Sequence, residues 1–291
     1  MDHQLHVFAT VAEKKNFSRA AEELHMTQPA VSQYIRSLEE STGTRLLERT
    51  NKYVRLNKAG EIVYHHAKEI LGLYTSMQNL IDDLTHKASG SLSIGASYTF
   101  GEYVLPRIIA VMQKTYPDIH PDVTIGNTAE VAELVSTHQL DIGIVEGHFK
   151  EQQLNIENLA NDKMYIVAAA DHPLAQNDLV RREALEKERW IVRESGSGTR
   201  EAMEKMFEEY DISPTEKMSF SSTQPIKEAV GAGLGITQLS EWAIQKEVRY
   251  GELRILPVEG FPFTRQFTFI TKSPFQTKAL EVFIELLRNR M

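Results

Sequence analysis

A chain of 291 residues is too long for one small core, so two or three domains are expected. With 42% hydrophobic and 25% charged residues, disorder and collagen-like repeats are excluded. There is no cysteine, which removes a disulfide framework, a thiolate nucleophile, a Cys-ligated metal and a thiol switch.

Leu5, Phe8, Val11 and Ala12 form one apolar face of a first helix. Asn16-Phe17 interrupts it, and Ser18 is the expected N-cap of a short second helix carrying Ala20, Ala21 and Leu24. After a turn at His25-Met26, Thr27 caps a third helix with Pro29 near its start, where a missing N–H costs nothing. Val31, Ile35 and Leu38 face inward, Pro29, Ser32, Gln33 and Arg36 face outward, and Gly43 ends the helix. Two short helices joined by a tight turn read as a helix-turn-helix. Ser, Gln and Arg side chains can hydrogen-bond base edges in the major groove, Gln to adenine and Arg to guanine.

Two short runs with apolar residues, from Leu46 to Leu56, flank Asn51-Lys52 as a hairpin, the wing. Arg49 and Arg55 are expected on phosphates and Lys52 near the minor groove.

The formal net charge of −8, taken whole, opposes a nucleic-acid partner; divided along the chain it does not. Residues 1–60 hold nine Lys/Arg and seven Asp/Glu, and residues 61–90 hold two and four. The rest holds 21 and 29, so the acidity belongs to the C-terminal two-thirds.

Phe8-Ala9-Thr10-Val11-Ala12, Asn16 to Leu24, Thr27-Gln28-Pro29-Ala30-Val31-Ser32, Ile35 to Glu39 and Leu46 to Thr50 closely resemble the DNA-binding domain of LysR-type transcriptional regulators. Ser18, Thr27, Gln28, Pro29, Ser32, Gln33, Arg36, Arg49, Lys52 and Arg55 are the expected DNA-binding set.

From Lys58 to about Lys87 no proline occurs. Val63, Ala67, Ile70, Tyr74, Met77, Ile81 and Leu84 keep an alternating spacing of four and three, the seam of a paired helix. Such a pair would set two recognition helices about 34 Å apart on an inverted repeat. His65 and His66 are adjacent and should not share a helix face, so they read as surface histidines.

Beyond residue 88 the period changes and strands alternate with helices, as in an α/β domain with a largely parallel sheet. Two similar sets of elements imply two lobes and a cleft, and ligands in such folds bind beyond the carboxyl ends of strands. The resemblance implies a periplasmic-binding-protein-like effector domain. The expected fold is α+β and multidomain. It comprises a winged helix-turn-helix at 1–58, a linker helix at 59–88 and an effector domain at 89–291. Lobe I is expected at 89–161 and 268–291, and lobe II at 162–267.

Three strand-to-helix joints are rich in hydroxyls, amides or glycine: Ser97-Tyr98-Thr99, Gly126-Asn127-Thr128 and Glu194 to Arg200. Each alone reads first as a capped helix with Gly in the turn. Together they make Ser97, Tyr98, Thr99, Asn127, Thr128, Ser195, Ser197, Gly198, Thr199 and Arg200 the expected effector residues. Arg200 either adds a bidentate contact or points out to Glu204. Ser-Gly-Ser-Gly-Thr-Arg is similar to the segment in the branch that includes regulators of sulfur assimilation. That implies sulfite, sulfate or a small carboxylate such as an acetylated serine. Glu146 at the end of the third lobe I strand would disfavour a dianion if it faces the cleft.

An enzyme is the first rival. No nucleophile elbow, phosphate fingerprint or His-Glu-x-x-His occurs, so neither catalysis, a cofactor nor a metal is expected. A transport-type solute-binding protein is the second. The N-terminus has no basic or apolar leader, and the longest apolar run, Met164 to Ala170, is far short of the ~18 residues of a membrane helix. A cytoplasmic protein with no membrane partner is therefore expected. The resemblance implies a homodimer to homotetramer, promoter DNA and a small anionic effector as partners, and activation that would bring in RNA polymerase.

Overall fold

A computed structural model describes residues 2–49, 53–83, 89–147 and 154–291. Contacts divide the chain into two compact units. The first is Met1–Asp82 with Thr137–Gln139, and the second is Asp83–Ser136 with Leu140–Met291.

In the N-terminal unit, α1 (Asp2–Lys14) buries Leu5, Val7, Phe8 and Val11. The second helix, α2 (Phe17–Glu23), starts two residues earlier than expected. Asn16 is extended, and its Oδ1 accepts from the N–H groups of Ser18 and Arg19 at 2.9 and 3.0 Å. Asn caps as well as Ser, so Ser18 is not the cap but an exposed residue of the first turn. His25 turns the chain at φ 51. In α3 (Gln28–Thr42) Thr27 is the cap, and Gly43 closes the helix at φ 70. The wing strands β1 (Leu47–Arg49) and β2 (Val54–Leu56) pair antiparallel, with Leu47 opposite Leu56. Lys52 and the rest of the hairpin tip lie outside the described residues. The long helix α4 (Lys58–Asp83) follows; Leu84 lies outside the described residues.

The second unit begins with β3 (Gly90–Ser97). Two helices follow it, α5 (Tyr98–Tyr103) and α6 (Leu105–Thr115). Pro106 lacks the N–H needed to continue a ladder, so the helix restarts there. Next come β4 (Ile119–Gly126), α7 (Thr128–Ser136), β5 (Ile142–Glu146) and β6 (Asn155–Ala169). They are followed by α8 (Arg182–Leu185), β7 (Arg189–Arg193), α9 (Gly198–Glu209), β8 (Glu216–Phe220) and α10 (Thr223–Gly231). The chain ends with β9 (Thr237–Ser240), α11 (Glu241–Tyr250), β10 (Leu253–Ile255), β11 (Phe263–Thr271) and α12 (Lys278–Arg290).

The main sheet runs β10-β6-β11-β5-β3-β4, with β9 also on β6. Only β3, β4 and β5 are mutually parallel; β11 is antiparallel to β5 and β6, and β9 and β10 are antiparallel to β6. The sheet is thus mixed rather than largely parallel. The reason is β6, whose first half, Asn-Ile-Glu-Asn-Leu-Ala-Asn-Asp, has too little apolar pattern to read as a strand yet pairs with β11 from Asn155 onward. Both long strands serve two cores. One gathers Leu92, Ile94, Phe100, Ile108, Phe267 and Phe283, the other Met164, Ile166, Trp190, Met203, Phe207 and Phe263. These are the cores of two lobes. In the second, β7 and β8 pair in parallel, and a bridge from Trp190 to Ile236 ties them to the main sheet.

Candidate DNA-binding face and effector site

Thr27 Oγ1 accepts from Ala30 N–H, which fixes where α3 begins and so which side chains leave its outer face. Val31, Ile35 and Leu38 are buried; Gln28, Pro29, Gln33 and Arg36 are exposed. Ser32 is half-buried, and Gln28 Nε2 donates to its Oγ at 2.9 Å. Thr27 is exposed at the rim.

The wing arginines are already matched. Arg49 Nη2 lies 3.0 Å from Glu39 Oε2, and its guanidinium sits 4.8 Å above the Phe17 ring. Glu39 Oε1 also accepts from the N–H groups of Leu46 and Leu47, so one carboxylate ties α3 to the wing. Arg55 donates to Glu48 Oε2, the residue opposite it on the hairpin. Arg36 has no ion pair among the described residues.

The seven-residue seam of the linker helix is not one surface. Ala67 is fully buried in the core of the N-terminal unit, and Val63 packs half-buried against it. Ile70, Tyr74, Met77 and Ile81 are each about half exposed, and Leu73 joins them. A Tyr64 hydrogen bond and a Lys68 ion pair to Glu13 moor α4 on α1. Burial, helped by Glu13, pushes the Tyr64 phenol up to about 12. His65 and His66 both reach Glu69, at 4.0 and 2.9 Å, because it lies between their two directions. This corrects the expectation that neighbouring histidines diverge; the set is open to solvent.

In the second unit the joints named from sequence converge, but around a residue that sequence reasoning missed. Arg265, on β11, is buried between the lobes. Its Nε donates to Asp162 Oδ2 at 2.8 Å, its Nη1 to Thr199 Oγ1 at 3.0 Å and its Nη2 to Thr99 Oγ1 at 3.1 Å. Glu146 Oε1 lies 3.2 Å from Nη1. Ser240 Oγ donates to the other oxygen of Asp162 at 2.6 Å. One guanidinium therefore joins the start of α5, the start of α9, and strands β5 and β6.

The remaining expected residues fall into place around this hub. Thr128 Oγ1 donates to the Glu146 carbonyl at 2.8 Å. Asn127 and Glu130 cap the start of α7 reciprocally. Ser197 caps α9, Ser195 is exposed, and Ala129 N–H donates to the Gly196 carbonyl. A Cβ on Gly198 would lie 2.0 Å from the Glu146 carbonyl oxygen, so only glycine lets α9 approach β5 this closely. Ser97 is buried, and its Oγ has no hydrogen-bond partner among the described residues. Tyr98 packs under Arg193, a second buried arginine, held by Glu194 through two bonds of 2.7 Å. Of its two expected directions, Arg200 takes the one toward Glu204. It donates to Glu204 and to the Arg193 carbonyl, which are closer to hand than the hub.

Residues 3–61 match the bacterial regulatory helix-turn-helix protein, lysR family, and residues 85–291 match the LysR substrate binding domain. The chain belongs to the LysR family. The HTH-type transcriptional regulator CysL of Bacillus subtilis is 40% identical over 287 residues, covering 98% of this chain and 96% of that protein. Among solved structures, a full-length OxyR variant from Pseudomonas aeruginosa matches in fold with a TM-score of 0.72 at 24% identity. That match covers 99% of this chain and 93% of the other. The regulatory domain of CcmR from Synechocystis PCC6803, solved in complex with 2-PG, matches with a TM-score of 0.64 at 27% identity. It covers 69% of this LysR-family chain and 97% of its own.

One signal for the hub was present in the LysR-family sequence. In Phe263-Thr264-Arg265-Gln266-Phe267 the alternation puts Arg265 on the inward side with two phenylalanines, and a charge there needs partners. Asp162 and Ser240 offered no such pattern.

Proposed function

We propose that this chain is a cytoplasmic transcriptional regulator that binds an inverted-repeat promoter site and responds to a small anionic effector held between the lobes. The carrying observation is the exposed outer face of α3, Gln28, Pro29, Gln33 and Arg36, presented by a capped helix in a winged unit. Base choice is assigned to Ser32, Gln33 and Arg36, and phosphate contact to Ser18, Thr27, Gln28 and the exposed Arg55. The exposed part of the α4 seam, Ile70, Tyr74, Met77 and Ile81, pairs two chains, and further pairing gives a tetramer. Residues 1–58, 59–88 and 89–291 act as reader, linker and sensor, with the lobes exchanging at β6 and β11. Ser97, Thr99, Asn127, Thr128 and Thr199 are the assigned effector residues.

The CcmR regulatory domain was solved with 2-PG bound, which supports a small-molecule effector for the matching domain here. The relatives are named as transcriptional regulators, and no catalytic role is assigned to this chain. A gel shift with a fragment of the chain's own promoter tests the reading. A shift at low salt that fades as salt rises is expected; no shift at low salt overturns it.

A further inference from the structure

Glu146 ends β5 with its side chain only 3% exposed. Oε1 faces Arg265, while Oε2 is buried without a hydrogen-bond partner among the described residues. A carboxylate removed from water is strongly unfavourable unless its charge is matched and its oxygens are engaged. Arg265, the one cation in contact with it among the described residues, does not supply the match. Arg265 is shared with Asp162, so one guanidinium faces two carboxylates. Arg193 is held by Glu194, Arg200 by Glu204 and Lys227 by Glu247. Glu146 is left as the excess negative charge. Ser97 ends β3, the strand beside β5, where Ala96 is paired with Ile144, and its buried hydroxyl is also unengaged. Two unsatisfied polar groups thus end neighbouring strands at the place where the lobes face each other.

We propose that the interlobe site selects a ligand of the α-amino-acid class, with its protonated amine on Glu146 Oε2 and its anionic end at the Ser97 hydroxyl. This rests on the reading of an effector held between the lobes and narrows its anionic group to a carboxylate carried with an ammonium on the same molecule. A free dianion such as sulfate would bring two more negative charges to a site where carboxylates already outnumber guanidinium groups. An ammonium supplies the missing charge and a donor for Oε2, while the carboxylate of the same molecule accepts from Ser97.

The test is calorimetric titration of the full chain with the common amino acids and O-acetyl-L-serine, the N-acetylated form of each, and sodium sulfate. At least one free amine is expected to bind, and its N-acetyl form to bind about tenfold more weakly or worse, the scale of one charge-assisted hydrogen bond. Glu146→Gln should weaken that amine about as much, and Ser97→Ala, a smaller change, should weaken it too. The comparison of each amine with its N-acetyl form uses the unaltered chain and stands even if a variant does not fold. No binding by any free amine overturns the proposal. Sulfate or an N-acetyl form that binds as tightly as the best amine, and is weakened by Ser97→Ala, removes the amine but keeps the interlobe site. An amine whose affinity neither folded variant changes removes the interlobe reading itself.

Discussion

Arg265 and Asp162 lie directly opposite each other on β11 and β6 and share a 2.8 Å bond, 103 residues apart in the chain. Both are buried where the two long strands pass from one lobe core to the other. Removing the guanidinium would leave Asp162 and Glu146 buried without a cation. Arg265→Ala is expected to destabilise the C-terminal unit by about 3–5 kcal/mol, the cost of breaking a buried ion pair from one side. Arg265→Lys keeps the charge but cannot reach Thr99, Thr199 and Asp162 together, and should fall between. Urea denaturation followed by fluorescence checks this; a loss below about 1 kcal/mol for Arg265→Ala would mean the hub is not structural.

How much of this could be read in advance follows from distance along the chain. The helix-turn-helix was legible because its signals are local: Thr27 and Gly43 bracket α3, and Val31, Ile35 and Leu38 repeat within it. Asn16 shows the limit, since two good caps stood two residues apart and only the backbone decided between them. The hub was illegible because Arg265 meets Thr199 and Thr99 across 66 and 166 residues. Nothing in a local pattern says which hydroxyls meet which charge. The seam on α4 was ambiguous for another reason: the same four-and-three spacing packs Ala67 into its own domain and leaves Ile70 and Tyr74 outward.

Two arginines of the DNA-binding unit should behave differently. Arg36 is exposed on the outer face of α3 and has no ion pair among the described residues. Arg36→Ala is expected to weaken specific DNA binding by about 1–3 kcal/mol and to relax base preference. Arg49 is held by Glu39 and stacked on Phe17. Arg49→Ala should lower stability by about 1 kcal/mol and leave the salt dependence of binding nearly unchanged. Gel shifts at several salt concentrations, beside thermal melts, separate the two. A flattened salt slope for Arg49→Ala would assign it to phosphate after all.

The two parts of α4 can be separated in the same way. Ala67 is fully buried against the N-terminal core, so Ala67→Leu overpacks it and should cost about 1–3 kcal/mol in the stability of that unit. Tyr74 is half exposed, so Tyr74→Glu should leave the fold intact while shifting assemblies toward monomer. Sedimentation velocity across a concentration series reads the second effect. Unchanged association with Tyr74→Glu would place the pairing surface elsewhere.

Asp141 precedes β5, and its Oδ2 accepts from Ser93 N–H at 2.8 Å. Burial pushes its carboxyl above the usual range, and the bond to Ser93 only partly opposes this. A carboxyl whose folded pKa is raised favours the folded state in its protonated form. Its stabilising contribution is complete below the unfolded pKa and is lost as pH rises through the folded value. Above the ordinary carboxylate range Asp141 is therefore a burden on the fold. Asp141→Asn keeps an acceptor for Ser93 and removes the buried charge, so it should raise the melting temperature at pH 7. The gain should shrink as pH falls and vanish below the ordinary carboxylate range, where the unaltered residue is neutral too. Melting curves of both proteins across that range decide the matter: a gain that grows toward acid would reverse the assigned direction.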